Sequence, residues 1–104
     1  MVEKKGPEKV GPLLDGFLKR TGLREPILQA EAAEEWAGKV GEGIAKVTRA
    51  RGVRNGALVV EVRSSAWLME LNLMKGEILR RVNEGRTEGL VEEIVFFLAE
   101  DAPR

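Results

Sequence analysis

The sequence contains no cysteine, no histidine and no tyrosine, and these absences restrict the chemistry open to the chain. Without cysteine there is no disulfide framework and no thiolate metal site. Histidine is the side chain most often used as a general base and as a zinc ligand, so both roles lose their usual residue. We therefore expect a protein that is not an enzyme and that uses no metal or other cofactor.

Long apolar runs are also missing, since none approaches the ~20 residues needed to span a bilayer. The charged N-terminus is not followed by a signal-like apolar stretch, so we expect a soluble, cytoplasmic protein with no membrane partner. The 17 basic and 17 acidic residues cancel, which argues against coating nucleic acid through bulk charge. A balanced total still permits a local basic patch.

The polar side chains that could carry catalysis have structural explanations. Ser64 and Ser65 precede a predicted helix, where serine caps free backbone N–H groups. The carboxylate pairs at 34–35 and 92–93 are adjacent in sequence, so their side chains diverge and do not form an acid–base couple. No phosphate-binding loop of the ATPase type is present. We expect no catalytic residues and no small-molecule substrate.

The length of 104 residues is enough for one domain and too short for two. Residues 1–11 are charged and interrupted by glycine and proline, which predicts a flexible N-terminal tail. We place a single α/β domain at 12–99 and a short C-terminal tail at 100–104.

Two helices are predicted in the first half of the chain. Pro12 suits a first helical position, Phe17 lies on the apolar stripe expected in the core, and Gly22 is the predicted stop. The second helix is predicted from Pro26, with Trp36 beside its apolar stripe. That stripe is Ile27, Ala30, Ala33, Ala37, Val40 and Ile44. Glycines inside such a pattern indicate close packing, so we expect a neighbour to approach at Gly38, Gly41 and Gly43.

A β-hairpin follows, with strands at 47–53 and 57–64 joined by Asn55-Gly56, the pair most typical of a two-residue type I′ turn. A strict two-residue turn would place Arg49 and Arg51 opposite Val62 and Val60, on the core face. A longer loop or a bulge would place Thr48, Ala50 and Gly52 there instead. We favour the second register because unpaired buried arginines are costly.

The clearest amphipathic helix comes next, and its apolar positions are Trp67, Leu71, Met74, Ile78 and Val82. Gly76 is expected to bend or split it. A last strand at 91–99 is rich in Val, Ile and Phe. Its residues Ile94, Phe96 and Leu98 are predicted to face the core, with Val91, Val95 and Phe97 on the opposite face. The predicted order is α-α-β-β-α-β.

Three stretches, in this order and spacing, resemble the DciA-type family of bacterial proteins. They are Trp36 to Gly41 (WAGKVG), Asn55 to Val62 (NGALVVEV) and Ser64 to Leu71 (SSAWLMEL). The family motif residues among them are expected to be structural; they are Trp36, Gly41, Ser64, Ser65, Trp67, Glu70 and Leu71.

The resemblance implies an α+β, two-layer domain like the type II KH domain, with a three-stranded sheet packed by helices on one face. It also implies a role in loading the replicative DnaB-type helicase on single-stranded DNA. A working KH domain clamps nucleic acid with a G-x-x-G loop between two helices. The matching place here, 72–76, reads NLMKG and lacks that motif, whereas the string at 38–41 has the letters on another element and is expected to be a packing feature.

Two candidate surfaces emerge around the hairpin and the last strand. The cations that could contact phosphates are Lys46, Arg49, Arg51, Arg54 and Arg63. The alternative is ordinary surface salt-bridging with acidic residues nearby, such as those of the acidic segment 88–101. The candidate partner-binding residues are Val59, Val95 and Phe97, on the sheet face turned away from the core. The alternative there is that the first helix folds over them.

These observations leave three functional hypotheses. The first is a non-catalytic adaptor for the replicative DnaB-type helicase, with weak single-stranded DNA contact. The second is a KH-like RNA-binding module, which the missing G-x-x-G loop disfavours. The third is a purely structural interaction domain, such as a homodimer formed through Val95 and Phe97.

Overall fold

The computed structural model describes residues 12–99, so both predicted tails, 1–11 and 100–104, lie outside the described residues. The described residues form a mixed α+β domain with one three-stranded sheet. The elements are α1 (Pro12–Thr21), α2 (Arg24–Val40), α3 (Glu42–Ala45), β1 (Thr48–Arg54), β2 (Ala57–Val62), α4 (Ser65–Leu73), α5 (Lys75–Asn83) and β3 (Glu93–Leu98). The predicted order is thus confirmed, with both longer helical segments divided in two.

The face that α2 buries differs from the predicted one. Its core residues are Leu28, Ala32, Trp36 and Val40, spaced by four. The predicted stripe was wrong at Ile27, which is 41% exposed, and at Ala30 and Ala37, which lie on the open side, whereas Val40 and Ile44 are buried as predicted. Alanines fit either face of a helix. Turning Leu28 and Trp36 inward removes more apolar area from water, and that decides the orientation.

Gly41 ends a helix, and none of the three glycines of this region packs against a neighbour. Gly41 has φ 92°, which stops α2 and makes α3 a separate turn. No atom lies within 4 Å of a Cβ built at Gly38, Gly41 or Gly43, so the expected close approach is wrong. The close approach occurs at Gly89, where such a Cβ would lie 2.5 Å from Leu28 Cβ.

The hairpin has a two-residue turn and also a bulge. Asn55 and Gly56 have φ of 52° and 82°, as a type I′ turn requires. Ala50 pairs with Val60 but Gly52 pairs with Val59, so Arg51 is an extra residue. The favoured register is therefore confirmed for Thr48 and Ala50, while Arg49 and Arg51 are exposed.

One detail of that register was wrong. Beyond the bulge, Val53 rather than Gly52 faces the core, because Val53 pairs with the fully buried Leu58. The extra residue changes which alternate positions point inward along the second half of β1.

The core lies between the sheet and the helices. β2 is central, antiparallel to β1 and parallel to β3. Its residues Leu58, Val60 and Val62 are fully buried. The Trp36 ring meets the Phe96 ring edge-on at 6.3 Å, and Trp36 Nε1 donates to Thr48 Oγ1 at 2.8 Å. These contacts fix α2 against the sheet.

The second helical segment is capped and divided. Ser64 is the N-cap, since its Oγ accepts a hydrogen bond from the Trp67 backbone N–H at 3.1 Å. The helix splits at Met74 rather than at Gly76 itself. The predicted stripe is confirmed, with Leu71, Ile78 and Val82 buried.

Val91 lies outside β3 and does not share the outer face with Val95 and Phe97, as had been predicted. It is 2% exposed and part of the core. The Asn83 side chain holds it there, donating through Nδ2 to Val91 O and accepting through Oδ1 from Val91 N–H, both at 2.8 Å. This clamp turns the chain inward before β3 begins.

Candidate interface on the outer face of the sheet

The outer sheet face is formed by the side chains of β1–β3 that point away from the helices. Strand pairing arranges them in three rows across the sheet, from β1 through β2 to β3. The rows are Arg49–Glu61–Phe97, Gly52–Val59–Val95 and Arg54–Ala57–Glu93. Within residues 12–99 the helices contact the sheet from the other side, so this face is open.

The predicted partner-binding residues form one apolar patch, defined as Val59, Val95 and Phe97. Val59 and Val95 are direct neighbours in the β2–β3 register, and Val95 is 37% exposed. Val59 and Phe97 are half-buried. The first helix does not cover them in the described part of the chain, because α1 packs against α2.

The predicted phosphate-contacting residues form a basic rim, defined as Lys46, Arg49, Arg51, Arg54 and Arg63. All five are exposed. Arg63 N–H donates to Val47 O at 3.0 Å, which places Arg63 beside the start of β1. Among residues 12–99 Arg51 alone of the five has an ion pair, with Arg51 Nη1 2.8 Å from Glu61 Oε1. Glu88 of the acidic segment pairs with Arg24 instead of with the rim.

Arg49 and Arg54 of the basic rim thus lie on the same sheet face as the apolar patch. The family motif residues lie elsewhere. Trp36 and Leu71 are in the core and Trp67 is half-buried against it. Ser64 caps α4, while Ser65 and Glu70 are exposed on that helix. Gly41 ends α2.

Exposed apolar side chains on two helices, α1 and α4, were not predicted from the sequence. Phe17, predicted in the core, is 48% exposed, and Leu13 beside it on α1 is 92% exposed. On α4, Met69 and Leu73 also point to solvent. The residues of α4 are apolar on all sides, and that pattern could have indicated an exposed apolar surface.

A cavity of about 460 Å³ separates α2 from the loop after α5. Its cations are already engaged. Arg24 bonds Asp15 and Glu88, while Arg86 donates to Leu28 O at 3.1 Å and pairs with Glu35 at 3.2 Å. The hydrogen bond from Arg24 lowers the pKa of the Glu88 carboxyl below its ordinary value. The residues that line this cavity therefore hold the loop against α2.

Residues 12–99 contain no group of three or more acidic side chains arranged to hold a metal ion. None of the helices in that range is both long and apolar enough to cross a membrane. The class that these features define is a small α+β domain with one exposed sheet face, on which charged residues of both signs lie beside an apolar patch.

The chain belongs to the DciA family, whose model, described as "Dna[CI] antecedent, DciA", matches residues 9–96. The resemblance seen in the three motifs is confirmed. A UPF0232 protein of Rhodococcus jostii is 27% identical over 92 residues, 88% of this chain and 49% of that protein. A UPF0232 protein of Corynebacterium glutamicum is 27% identical over 93 residues, 89% of this chain and 52% of that protein. The chain spans about half the length of the curated relatives it matches.

Proposed function

We propose that this protein is a non-catalytic adaptor that binds the bacterial replicative DnaB-type helicase and assists its loading on single-stranded DNA. Family membership supports a role related to DNA replication. The observation that carries the proposal is the presence of Arg49 and Arg54 of the basic rim beside the apolar patch on one open sheet face. Such a face offers phosphate contacts beside a protein contact.

The topology supports a KH-like domain of type II. The sequence α3-β1-β2-α4-α5-β3, with β3 parallel to the central β2, has the helix pair and the sheet that such a domain needs. The junction between α4 and α5 at Met74 lacks the G-x-x-G clamp. The nucleic-acid contact therefore falls to the basic rim.

The helicase contact falls to the apolar patch. Val95 is a large apolar side chain on a sheet face that meets water in the described part of the chain, and Val59 extends it directly. Apolar groups that leave water on binding supply most of the affinity of a protein interface, while a polar rim gives orientation. The basic rim next to the patch supplies that orientation.

Capture of the replicative helicase from the same organism tests the adaptor. Wild-type protein is expected to capture it without DNA at roughly physiological salt, where weak phosphate contacts are partly screened. Val95→Lys should abolish capture, since it places a charge in the patch. Met69→Lys is the matched control, because Met69 is 69% exposed on α4, on the other side of the sheet. Absence of wild-type capture would contradict the proposal.

A further inference from the structure

The bulge in β1 determines how many cations the outer sheet face carries. In a regular strand of the same sequence, Arg54 would point to the opposite side from Arg49, because side chains alternate and the two residues are an odd number of positions apart. With Arg51 as the extra residue, Arg49 and Arg54 both join the outer rows. Neither has an acidic partner among residues 12–99. Two guanidinium groups without an acidic partner in the described residues, those of Arg49 and Arg54, therefore lie near the two ends of β1, with the paired Arg51 between them.

The middle row of the outer sheet face, between the rows of Arg49 and Arg54, is open and apolar. Gly52 lies in the middle row with φ 138° and with nothing within 4 Å of where a Cβ would stand. Val59 and Val95 continue the same row. A planar group can lie across this row without meeting a long side chain.

Phe97 stands at the far end of the row that begins at Arg49. Two strand spacings, about 10 Å, separate β1 from β3. Glu61 lies between the two residues, and its carboxylate is neutralised by the Arg51 guanidinium at 2.8 Å. An aromatic side chain on a strand stands out from the sheet and presents a ring on which a base can stack.

We propose that single-stranded nucleic acid binds the outer sheet face, with its phosphates along β1 and one base stacked on Phe97. This assignment rests on the single-stranded DNA contact of the proposed function and gives it a path and a stacking residue. The phosphates contact Arg49 and Arg54, and the bases lie across the open middle row at Gly52 and Val59. The path lies on the opposite side of the sheet from the α4–α5 junction.

Fluorescence anisotropy of a labelled oligothymidylate, measured over a series of salt concentrations, separates the two kinds of contact. Arg49→Ala and Arg54→Ala should each reduce the slope of log affinity against log salt by about 0.7, one released counterion per phosphate contact. Phe97→Leu should weaken binding by about 5- to 100-fold and leave the slope unchanged, since stacking releases no ions. Arg80→Ala, an exposed cation on α5, should change neither quantity.

Removing the charge of Glu61 should have the opposite effect on binding. Glu61→Gln frees Arg51, so binding should strengthen and the salt slope should steepen by about 0.7. If Glu61 only stabilised the hairpin, its substitution would weaken binding instead. Circular dichroism of each variant verifies that the fold is retained.

The inference is overturned if Phe97→Leu binds as tightly as wild type, or if Arg80→Ala reduces the salt slope as much as Arg49→Ala. Binding of duplex DNA as tight as that of the oligothymidylate would also overturn it. An oligoribonucleotide that shows the same variant pattern and binds more tightly than the oligothymidylate would support the path and identify RNA as its preferred ligand.

The helicase proposal and the nucleic-acid proposal can be contradicted independently of each other. Helicase capture without DNA, combined with no oligothymidylate binding even at low salt, would remove the nucleic-acid path and leave the adaptor. The expected variant pattern, combined with no helicase capture, would leave the path and remove the adaptor. Phe97→Leu keeps the patch apolar, so it should still capture the helicase in the absence of DNA. Because both ligands are assigned to the same patch, they should bind it in turn, and excess oligothymidylate should reduce capture by the wild type.

Discussion

Gly89 lies where the loop after α5 crosses α2, with φ 64° and with the Leu28 backbone carbonyl carbon 2.9 Å from the place of a Cβ. Gly38 lies on the exposed side of α2 with no atom near it. A side chain is therefore blocked at one position and free at the other. Substitution by alanine should therefore change the stability in opposite directions at the two positions.

Gly89→Ala should lower the free energy of unfolding by at least about 2 kcal/mol, because the left-handed backbone is strained for alanine and backbone of α2 must move. Gly38→Ala, the matched control, should raise it by roughly 0.5 kcal/mol by favouring the helix. Urea unfolding measures both. A destabilised Gly38→Ala would mean that something packs on that face.

At the scale of single elements, α4 depends on a local cap. Ser64→Ala removes the acceptor for the Trp67 N–H and should cost about 1 kcal/mol of unfolding free energy. Ser65→Ala alters an exposed residue of the first turn and should cost less than about 0.3 kcal/mol, since alanine favours helix. Thermal unfolding followed by circular dichroism compares the two. Equal losses would show that the cap assignment is wrong.

The hairpin makes a second prediction at this scale. Deleting Arg51 removes the bulge but keeps Thr48, Ala50 and Val53 facing inward in strict alternation. We expect a folded protein that loses no more than about 1 kcal/mol. Deleting Val53 also removes the bulge but places Gly52 opposite Leu58 in its stead, so an apolar side chain is lost from the core and the cost should be about 2 kcal/mol. Chemical denaturation of both deletion variants tests this, and similar losses would contradict the register.

At the scale of the whole molecule, one ion-pair cluster joins three segments. Arg24 of α2 bonds Asp15 of α1 and Glu88 of the loop before β3. The pKa of Glu88 is lowered in the folded protein, mainly by the Arg24 hydrogen bond. The stabilisation is therefore present above the unfolded pKa of about 4.3 and is lost as the pH falls through the lower folded value.

The melting temperature of Glu88→Gln should accordingly lie below that of wild type at pH 6, and the two should converge as the pH falls through the lowered folded pKa of Glu88. The difference should also shrink at about 1 M salt, because the pair is exposed and is screened. Differential scanning calorimetry gives these values. A gap that persists at low pH would mean that Glu88 acts through packing rather than through charge.

Charge is unevenly distributed along the chain although the total is zero. The five cations of the basic rim face solvent around the hairpin, whereas Glu88, Glu92 and Glu93 lie in the segment leading into and starting β3. Folding places Glu93 in the row of Arg54, so the outer sheet face carries both signs of charge. The excess of cations is therefore local to the hairpin, and net charge alone would have hidden it.

Local interactions were sufficient for much of this fold. The Asn55-Gly56 turn, the Ser64 cap, the alternation along β2 and the stripe through Leu71 and Ile78 all depend on residues within a few positions of one another. Each was therefore predictable from the sequence, as was membership of the family. Both candidate surfaces were also identified as residue sets before their positions were known.

Only the tertiary structure decided the rest. The face that α2 buries depended on what it packs against, and Val91 turned inward because Asn83, eight residues away, clamps it. Phe17 stayed exposed because α1 contacts little beyond α2. Pattern rules count apolar spacing along the chain, whereas burial depends on which neighbours arrive from distant positions. For the same reason, the placement of Arg49, Arg54 and Phe97 on one face required both the bulge and the parallel pairing of β3 with β2.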